Sequence, residues 1–272
     1  MFNKKNTIMH KFITIILIAI LPILNINARN YLPDYNDSIK DFRTDTENEF
    51  KFNARQLIAP GILIAAGSFG VCNKGWFHKN INLKIRDGLQ DWRGDKRFTA
   101  DDYIQYLPLV AHLGLSACGV KSKTTYKERI AVIATSYIAL GIMVNGTKYT
   151  VKKLRPDGSK RNSFVSGHTA TVFMGAELVR TEYKDASPWY GIGAYTIATG
   201  VGFLRLYNNR HWVSDVIAGA GVGILSARIG YWLLPFERKL FGWDNKEDRT
   251  LVAVPYYQPD TKSLGASFSI VF

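Results

Sequence analysis

Between residues 148 and 215 the chain carries three short polar clusters, each at the edge of an apolar stretch. They read Lys148-Tyr-Thr-Val-Lys-Lys-Leu-Arg155-Pro156, Ser163-Phe-Val-Ser166-Gly167-His168 and Arg205-Leu-Tyr-Asn-Asn-Arg210-His211-Trp-Val-Ser-Asp215. In the third, His211 and Asp215 lie four residues apart, so one helical turn sets the carboxylate beside the imidazole. A carboxylate on one ring nitrogen fixes the tautomer and leaves the other nitrogen as a nucleophile or base. Arg205 supplies a planar fork of donors that suits phosphate oxygens. In the second, Ser166 is a good N-cap for a helix opening at Gly167 and His168, with Val165 packing before it. The first turn of such a helix offers free N–H groups to an anion, Gly167 lets a ligand approach the backbone, and His168 stands ready to donate a proton. In the first, Pro156 closes a basic run, and the spacing puts Lys148 and Arg155 about two turns apart on one side if the helix continues that far.

Each cluster alone has a plainer explanation: solvated lysines and arginines at a helix end, a capped helix with a surface histidine, a surface His–Asp pair. Together they supply three cations, a helix-start anion nest and two histidines, which is a complete set for phosphoryl transfer without a metal. The cations would clamp the phosphate while one histidine attacks and the other protonates the leaving oxygen.

The order and spacing of these residues resemble the type 2 phosphatidic acid phosphatase and vanadium haloperoxidase superfamily, whose pattern is Lys-x6-Arg-Pro, then Pro-Ser-Gly-His, then Ser-Arg-x5-His-x3-Asp. Lys148, Arg155 and Pro156 match the first part; Ser166, Gly167 and His168 match the second, with Val165 in place of its Pro; Arg205, His211 and Asp215 match the third, with Leu204 in place of its Ser. The resemblance covers about residues 100–235. It implies a helical bundle and a phosphohistidine mechanism in which His211 is the nucleophile, Asp215 orients it, and His168 is the general acid. Lys148, Arg155, Arg205, Ser166 and the Gly167 amide would bind the phosphate oxygens, and no metal or other cofactor is implied. The expected substrate is a phosphorylated lipid of the cell envelope, with a soluble phosphate monoester as the alternative. Two further readings are a vanadate-holding haloperoxidase and a non-catalytic phosphate-binding envelope protein, the second suggested by Val165 and Leu204.

The rest of the chain has to position these groups. Its 272 residues are 47% hydrophobic and carry a net charge of +13, with Gly 23 and Pro 9 in no repeat, which excludes disorder and a collagen-like fold. That charge suits an anionic substrate or an anionic membrane surface, whereas no basic stripe interleaved with aromatics points to nucleic acid. Cys72 and Cys118 form neither a disulfide framework nor a metal cluster. Residues 1–28 read as an export signal or an uncleaved anchor: Lys4, Lys5 and Lys11 precede the apolar run Phe12 to Leu24, and Ala28 is a small-residue end point. The expected location is therefore the periplasm or cell envelope.

Apolar segments at Leu57–Val71, Tyr103–Val120, Ile130–Thr147, Thr169–Val179, Pro188–Leu204 and Val216–Ala227 predict an all-α bundle of about six core helices. Thr169–Val179 and Val216–Ala227 are too short to span a hydrocarbon core of about 30 Å, and only Ile130–Thr147 comes near it. The expectation is an exported bundle resting on a membrane, divided into residues 29–100, a phosphatase core at 101–236 and an extension at 237–272. In that extension, Leu251–Tyr257 and Leu264–Phe272 predict a β-hairpin with Pro255 on an edge strand. His112 reads as a hydrogen-bonded core residue; Asp101, Asp102 and Arg93 read as solvated loop charges, with shaping of the pocket entrance as the alternative; Tyr207, Asn208 and Trp212 flank the third cluster, within reach of a substrate.

Overall fold

The helix boundaries follow from local capping chemistry. Thr125 opens the helix Tyr126–Val151 with a capping box: its hydroxyl accepts from Glu128 N at 3.4 Å and the Glu128 carboxylate accepts from Thr125 N at 2.7 Å. That helix stops at Lys152, which turns into the left-handed conformation at φ 47°. Ser166 caps Gly167–Tyr183, and Ser187 followed by Pro188 opens Pro188–Tyr207, where a proline costs no hydrogen bond.

The computed structural model describes residues 50–73 and 75–243, with the backbone of 250–258 and 263–271; the expected export signal at 1–28 lies outside them. Eight α-helices are present among the described residues: α1 (Ile58–Cys72), α2 (Lys84–Arg93), α3 (Asp101–Ile104), α4 (Leu107–Ala117), α5 (Tyr126–Val151), α6 (Gly167–Tyr183), α7 (Pro188–Tyr207) and α8 (Val213–Leu240). A 3-10 turn at Ala54–Leu57 leads into α1, and a π-helical segment at His78–Leu83 leads into α2. The chain forms two compact units, one ending at Leu234 and one beginning at Pro235, a proline inside α8. The first is an all-α bundle. The second contains the antiparallel strands β1 (Thr250–Gln258) and β2 (Ser263–Val271), in register from Thr250↔Val271 to Gln258↔Ser263, with Pro255 opposite Ala266.

The bundle is assembled around α6 and α8. Eleven of the residues of α6 are buried, among them Val172, Met174 and Leu178, and α4 and α7 pack against it. Small residues let α8 approach its neighbours at backbone distance. A Cβ at Gly219 would lie 2.8 Å from the Ser166 carbonyl of the α6 cap, and one at Gly221 would lie 2.7 Å from the Pro60 carbonyl of α1. Added methyls at Gly223 and Gly230 would collide with the Ala170 carbonyl of α6 and the Ser136 hydroxyl of α5. His112 is fully buried, although its ring nitrogens find no hydrogen-bond partner among the described residues.

The membrane expectation needs correction. Three helical stretches, not one, are long and apolar enough to cross a membrane: Ala54–Cys72 (19 residues), Tyr126–Val151 (26) and Val213–Leu240 (28). Asp215 and Arg228 bracket an apolar run in the sequence, but both are inside α8 and both are paired within the bundle. Arg228 Nε donates to Glu177 at 2.8 Å; Glu177 also accepts from Arg180 Nε and Nη2 at 2.7 Å and from the Tyr195 hydroxyl at 2.5 Å. A charge neutralised in this way does not end an apolar helix. The apolar windows of Ala54–Cys72 and Tyr126–Val151 are only 17% and 22% buried, against 61% for Val213–Leu240. Ile62, Phe69, Ile138 and Ile142 are left on the outer surface, as lipid-facing side chains require.

Close packing at Gly223 makes it a sensitive position. Gly223→Val should push α6 and α8 apart and cost about 1–3 kcal/mol, whereas Gly193→Ala, with nothing within 4 Å of the new methyl, should be tolerated. Thermal unfolding in detergent checks this: equal midpoints for the two variants would contradict the packing.

Candidate active site

Asp215, in the first turn of α8, has no solvent exposure and is saturated with donors. Its Oδ2 accepts from the Ser163 hydroxyl and from the Trp212 amide at 3.0 Å, and its Oδ1 accepts from Lys153 Nζ at 3.0 Å. Its backbone carbonyl accepts from Ser166 N at 3.1 Å. Lys153 Nζ also donates to Ser214 Oγ at 2.7 Å, and Trp212 Nε1 donates to the Leu154 carbonyl at 2.8 Å. The loop between α5 and α6 is thereby tied to the start of α8.

His211 is held by that loop. Its Nδ1 lies 2.8 Å from the Ser163 carbonyl oxygen, while Asp215 Oδ2 is 3.8 Å away, beyond hydrogen-bond reach. The sequence expectation of a direct Asp215–His211 bond is corrected accordingly: Asp215 grips the Ser163 hydroxyl, and the carbonyl of the same Ser163 grips the ring. A carbonyl only accepts, so Nδ1 carries the proton and Nε2 keeps its lone pair. Burial holds the His211 imidazole down to about 4, against the opposing pull of Asp215, so it is neutral near pH 7.

A cavity of about 410 Å³ lies beside this ring. Its walls bring together His168 and His211 with Lys148, Arg155, Arg205 and Gly167, all of which the sequence nominated. Lys148 comes from the last turn of α5, and its ammonium lies over the opening of α6: a Cβ at Gly167 would be 3.5 Å from Nζ. Arg155 arrives by a different route from the helical spacing expected, since α5 ends at Val151 and Arg155 sits in the following loop, where its N–H meets the Lys160 carbonyl at 3.0 Å. Nε of Arg155 and of Arg205 are buried without a hydrogen-bond partner among the described residues. A buried donor left unpaired carries a desolvation cost. Ser166 is not on the wall; it is fully buried and its hydroxyl accepts from Thr169 Oγ1 at 2.9 Å.

Several wall residues were not among the sequence candidates. Arg97, Lys160 and Arg210 add cations, and Arg210 Nη1 pairs with Asp157 at 3.1 Å. Asp101 is not a solvated loop charge, and Asp102, although exposed, is paired with the site. Asp101 is 1% exposed, paired with Arg205 and within 3.2 Å of Asn208 Nδ2, while Asp102 Oδ1 lies 2.8 Å from His168 Nε2. Arg93 likewise donates to the Tyr207 carbonyl at 3.2 Å. Burial and the Arg205 charge lower the His168 pKa, and Asp102 opposes them. Ligand atoms of Asp101, Asp102 and His168 lie within 4.8 Å of one another, yet Arg205 already neutralises Asp101 and the surrounding walls are cationic. Ser163 and Lys153 stand inside the sequence clusters, but only the folded loop shows what they hold.

Two outcomes follow. In Asp215→Asn, Lys153 loses its counter-charge and the stability should fall by roughly 3 kcal/mol, read as a lower thermal midpoint; an unchanged midpoint would mean that the carboxylate does not anchor the loop. Nitrogen-15 spectra of histidine-labelled protein should show His211 as the Nδ1–H tautomer, protonating at Nε2 only as the pH falls toward about 4. A titration near the ordinary histidine value would contradict the buried, carbonyl-bound ring.

Residues 129–239 match the PAP2 superfamily. The chain is 41% identical over 155 residues to the lipid A 1-phosphatase of Porphyromonas gingivalis, a match covering 57% of this chain and 35% of the length of that relative. Among solved structures it is similar to LpxE of Aquifex aeolicus, at 20% identity and a TM-score of 0.41 over 55% of this chain and 93% of the other. It is also similar to the transmembrane PAP2 type phosphatidylglycerolphosphate phosphatase of Bacillus subtilis, at 17% identity and a TM-score of 0.35 over 78% and 98%. The matched stretch, residues 129–239, contains all three polar clusters, and the chain spans about a third of the length of the curated relative it matches.

Proposed function

We propose that this protein is a phosphatase that removes a phosphate monoester group from a membrane lipid through a phosphohistidine on His211. The observation that carries the reading is the His211 ring: Nδ1 is committed to the Ser163 carbonyl, and Nε2 is left with its lone pair beside a cavity walled by cations. Nε2 attacks phosphorus as the bond to the lipid oxygen breaks. His168 gives its proton to that oxygen, helped by Asp102, which favours the charged ring. His168 then takes a proton from water, the water oxygen attacks phosphorus, and the P–N bond breaks to release phosphate and restore His211. Lys148, Arg155 and Arg205 bind the phosphate oxygens and offset the charge that develops on them. Asp215, 3.8 Å from Nδ1, favours the positive charge of the phosphorylated ring without touching the substrate. Ser166 shapes the opening of α6 rather than contacting phosphate.

A lipid substrate is supported by where the cavity sits on the bundle. It lies at the C-terminal end of α5, the end where Tyr149, Trp92 and Tyr103 are exposed, whereas Tyr126 and Trp189 are exposed at the opening turns of α5 and α7. From Tyr126 to Tyr149 the helix rises about 34 Å, close to the ~30 Å of a hydrocarbon core. Tyrosine and tryptophan favour the two interfaces of a bilayer. Such a placement puts the cavity at the depth of lipid phosphates. The name of the Porphyromonas gingivalis relative makes lipid A the first lipid to test.

Purified protein in detergent, with chelator present, should release inorganic phosphate from lipid A or phosphatidic acid in mixed micelles. His211→Ala should reduce this by roughly 10³-fold or more and should abolish an acid-labile, ³²P-labelled protein adduct. Full activity in that variant would end the phosphohistidine mechanism, and turnover confined to soluble esters would end the lipid assignment.

A further inference from the structure

A second cavity of about 530 Å³ lies along the C-terminal half of α7, and it is apolar. Its walls include Ile197, Val201 and Leu204 of α7, Phe98 from the segment before α3, and the aromatic group Trp92, Phe203 and Tyr207. Trp92 stacks edge-on against Tyr207 at 5.5 Å between ring centroids, and Phe203 lies 6.4 Å from Tyr207. One helix separates the two spaces: Leu204 and Tyr207 face the apolar groove, and Arg205 and Asn208 face the cationic cavity. The partition is rigid, because Asn208 clasps the Phe98 backbone in both directions, accepting from its N–H at 3.1 Å and donating to its carbonyl at 2.7 Å.

An apolar groove sharing a wall with a cationic cavity matches one chemistry: a single amphiphile with an anionic head and a hydrocarbon tail. We propose that the groove holds an acyl chain of the lipid whose phosphate group enters the cationic cavity. This rests on the phosphatase reading and adds the determinant of its preference for lipid over soluble esters. Leu204, which stands where the superfamily pattern has a serine, belongs to this groove; the departure exchanges a hydroxyl for apolar wall. Gly200 keeps the groove open, since nothing lies within 4 Å of a Cβ built there and the position is exposed. A large side chain at Gly200 therefore fills the groove without disturbing the bundle.

The test is Gly200→Trp, with its thermal midpoint checked against the parent. Its kcat/KM for long-chain phosphatidic acid should drop at least tenfold, while its kcat/KM for p-nitrophenyl phosphate stays within twofold. Equal losses on both esters, or no loss on either, would overturn the groove. A second readout does not require turnover. Phosphatidic acid bearing a diazirine in one acyl chain should label the peptide containing residues 196–207 in the parent and fail to do so in Gly200→Trp. Phosphatidylcholine with the same diazirine chain should label it at least fivefold less; equal labelling would mean an ordinary lipid-facing surface and would end the proposal. If the parent hydrolyses no ester at all, the phosphatase reading falls, and the labelling still decides the groove.

Discussion

A carboxylate shut away from water must be surrounded by donors, and the geometry of this site follows from how Asp215 meets that demand. Four groups answer it: the Ser163 hydroxyl, the Trp212 amide, Lys153 and, more distantly, Ser214 at 3.4 Å. They come from the loop after α5 and from the opening of α8. Leaving such a charge unpaired would cost several kcal/mol, so the loop has one strongly favoured path. Along that path the Ser163 carbonyl meets His211, Arg155 swings to the cavity, and Ser166 arrives at the start of α6. The carboxylate thus orders groups on the cavity wall without lining the cavity itself.

The cavity presents the opposite problem, an excess of one sign. Lys148, Arg155 and Arg205 line one cavity, and Arg97, Lys160 and Arg210 add to its positive charge. Asp101 and Asp102 relieve part of this by holding Arg205 and His168. What remains is a wall on which cations outnumber carboxylates, which favours an anion. Charge arranged in advance costs nothing to reorganise when an anion arrives.

The same economy governs the membrane-facing architecture. Buried Glu177 is neutralised by Arg180 and Arg228 and bonded by Tyr195, so charged residues can occupy helices that are otherwise apolar. Glycines at 219, 221, 223 and 230 bring α8 against three neighbours at backbone distance. Without that approach α8 could not present His211 and Asp215 to the α6 cap.

Much of this was legible in the sequence. Capping residues and small-residue apolar runs specify the helices, and the ordered clusters specify cations and histidines for phosphate chemistry; Lys148, Arg155, Gly167, His168, Arg205 and His211 do converge on one cavity. These features are local, set by side-chain type and by spacing within a turn or two. What the sequence could not specify depends on partners far along the chain. The bond to His211 comes from Ser163, 48 positions away, and the partner of Arg205 is Asp101, 104 positions away. The length of α8 was misjudged for the same reason, because Asp215 and Arg228 look like helix ends until their partners are in place. Residue types and their order determined which chemistry is available; only tertiary packing decided which atom holds which, because a buried charge or ring takes the partner that the fold delivers rather than the nearest one in sequence.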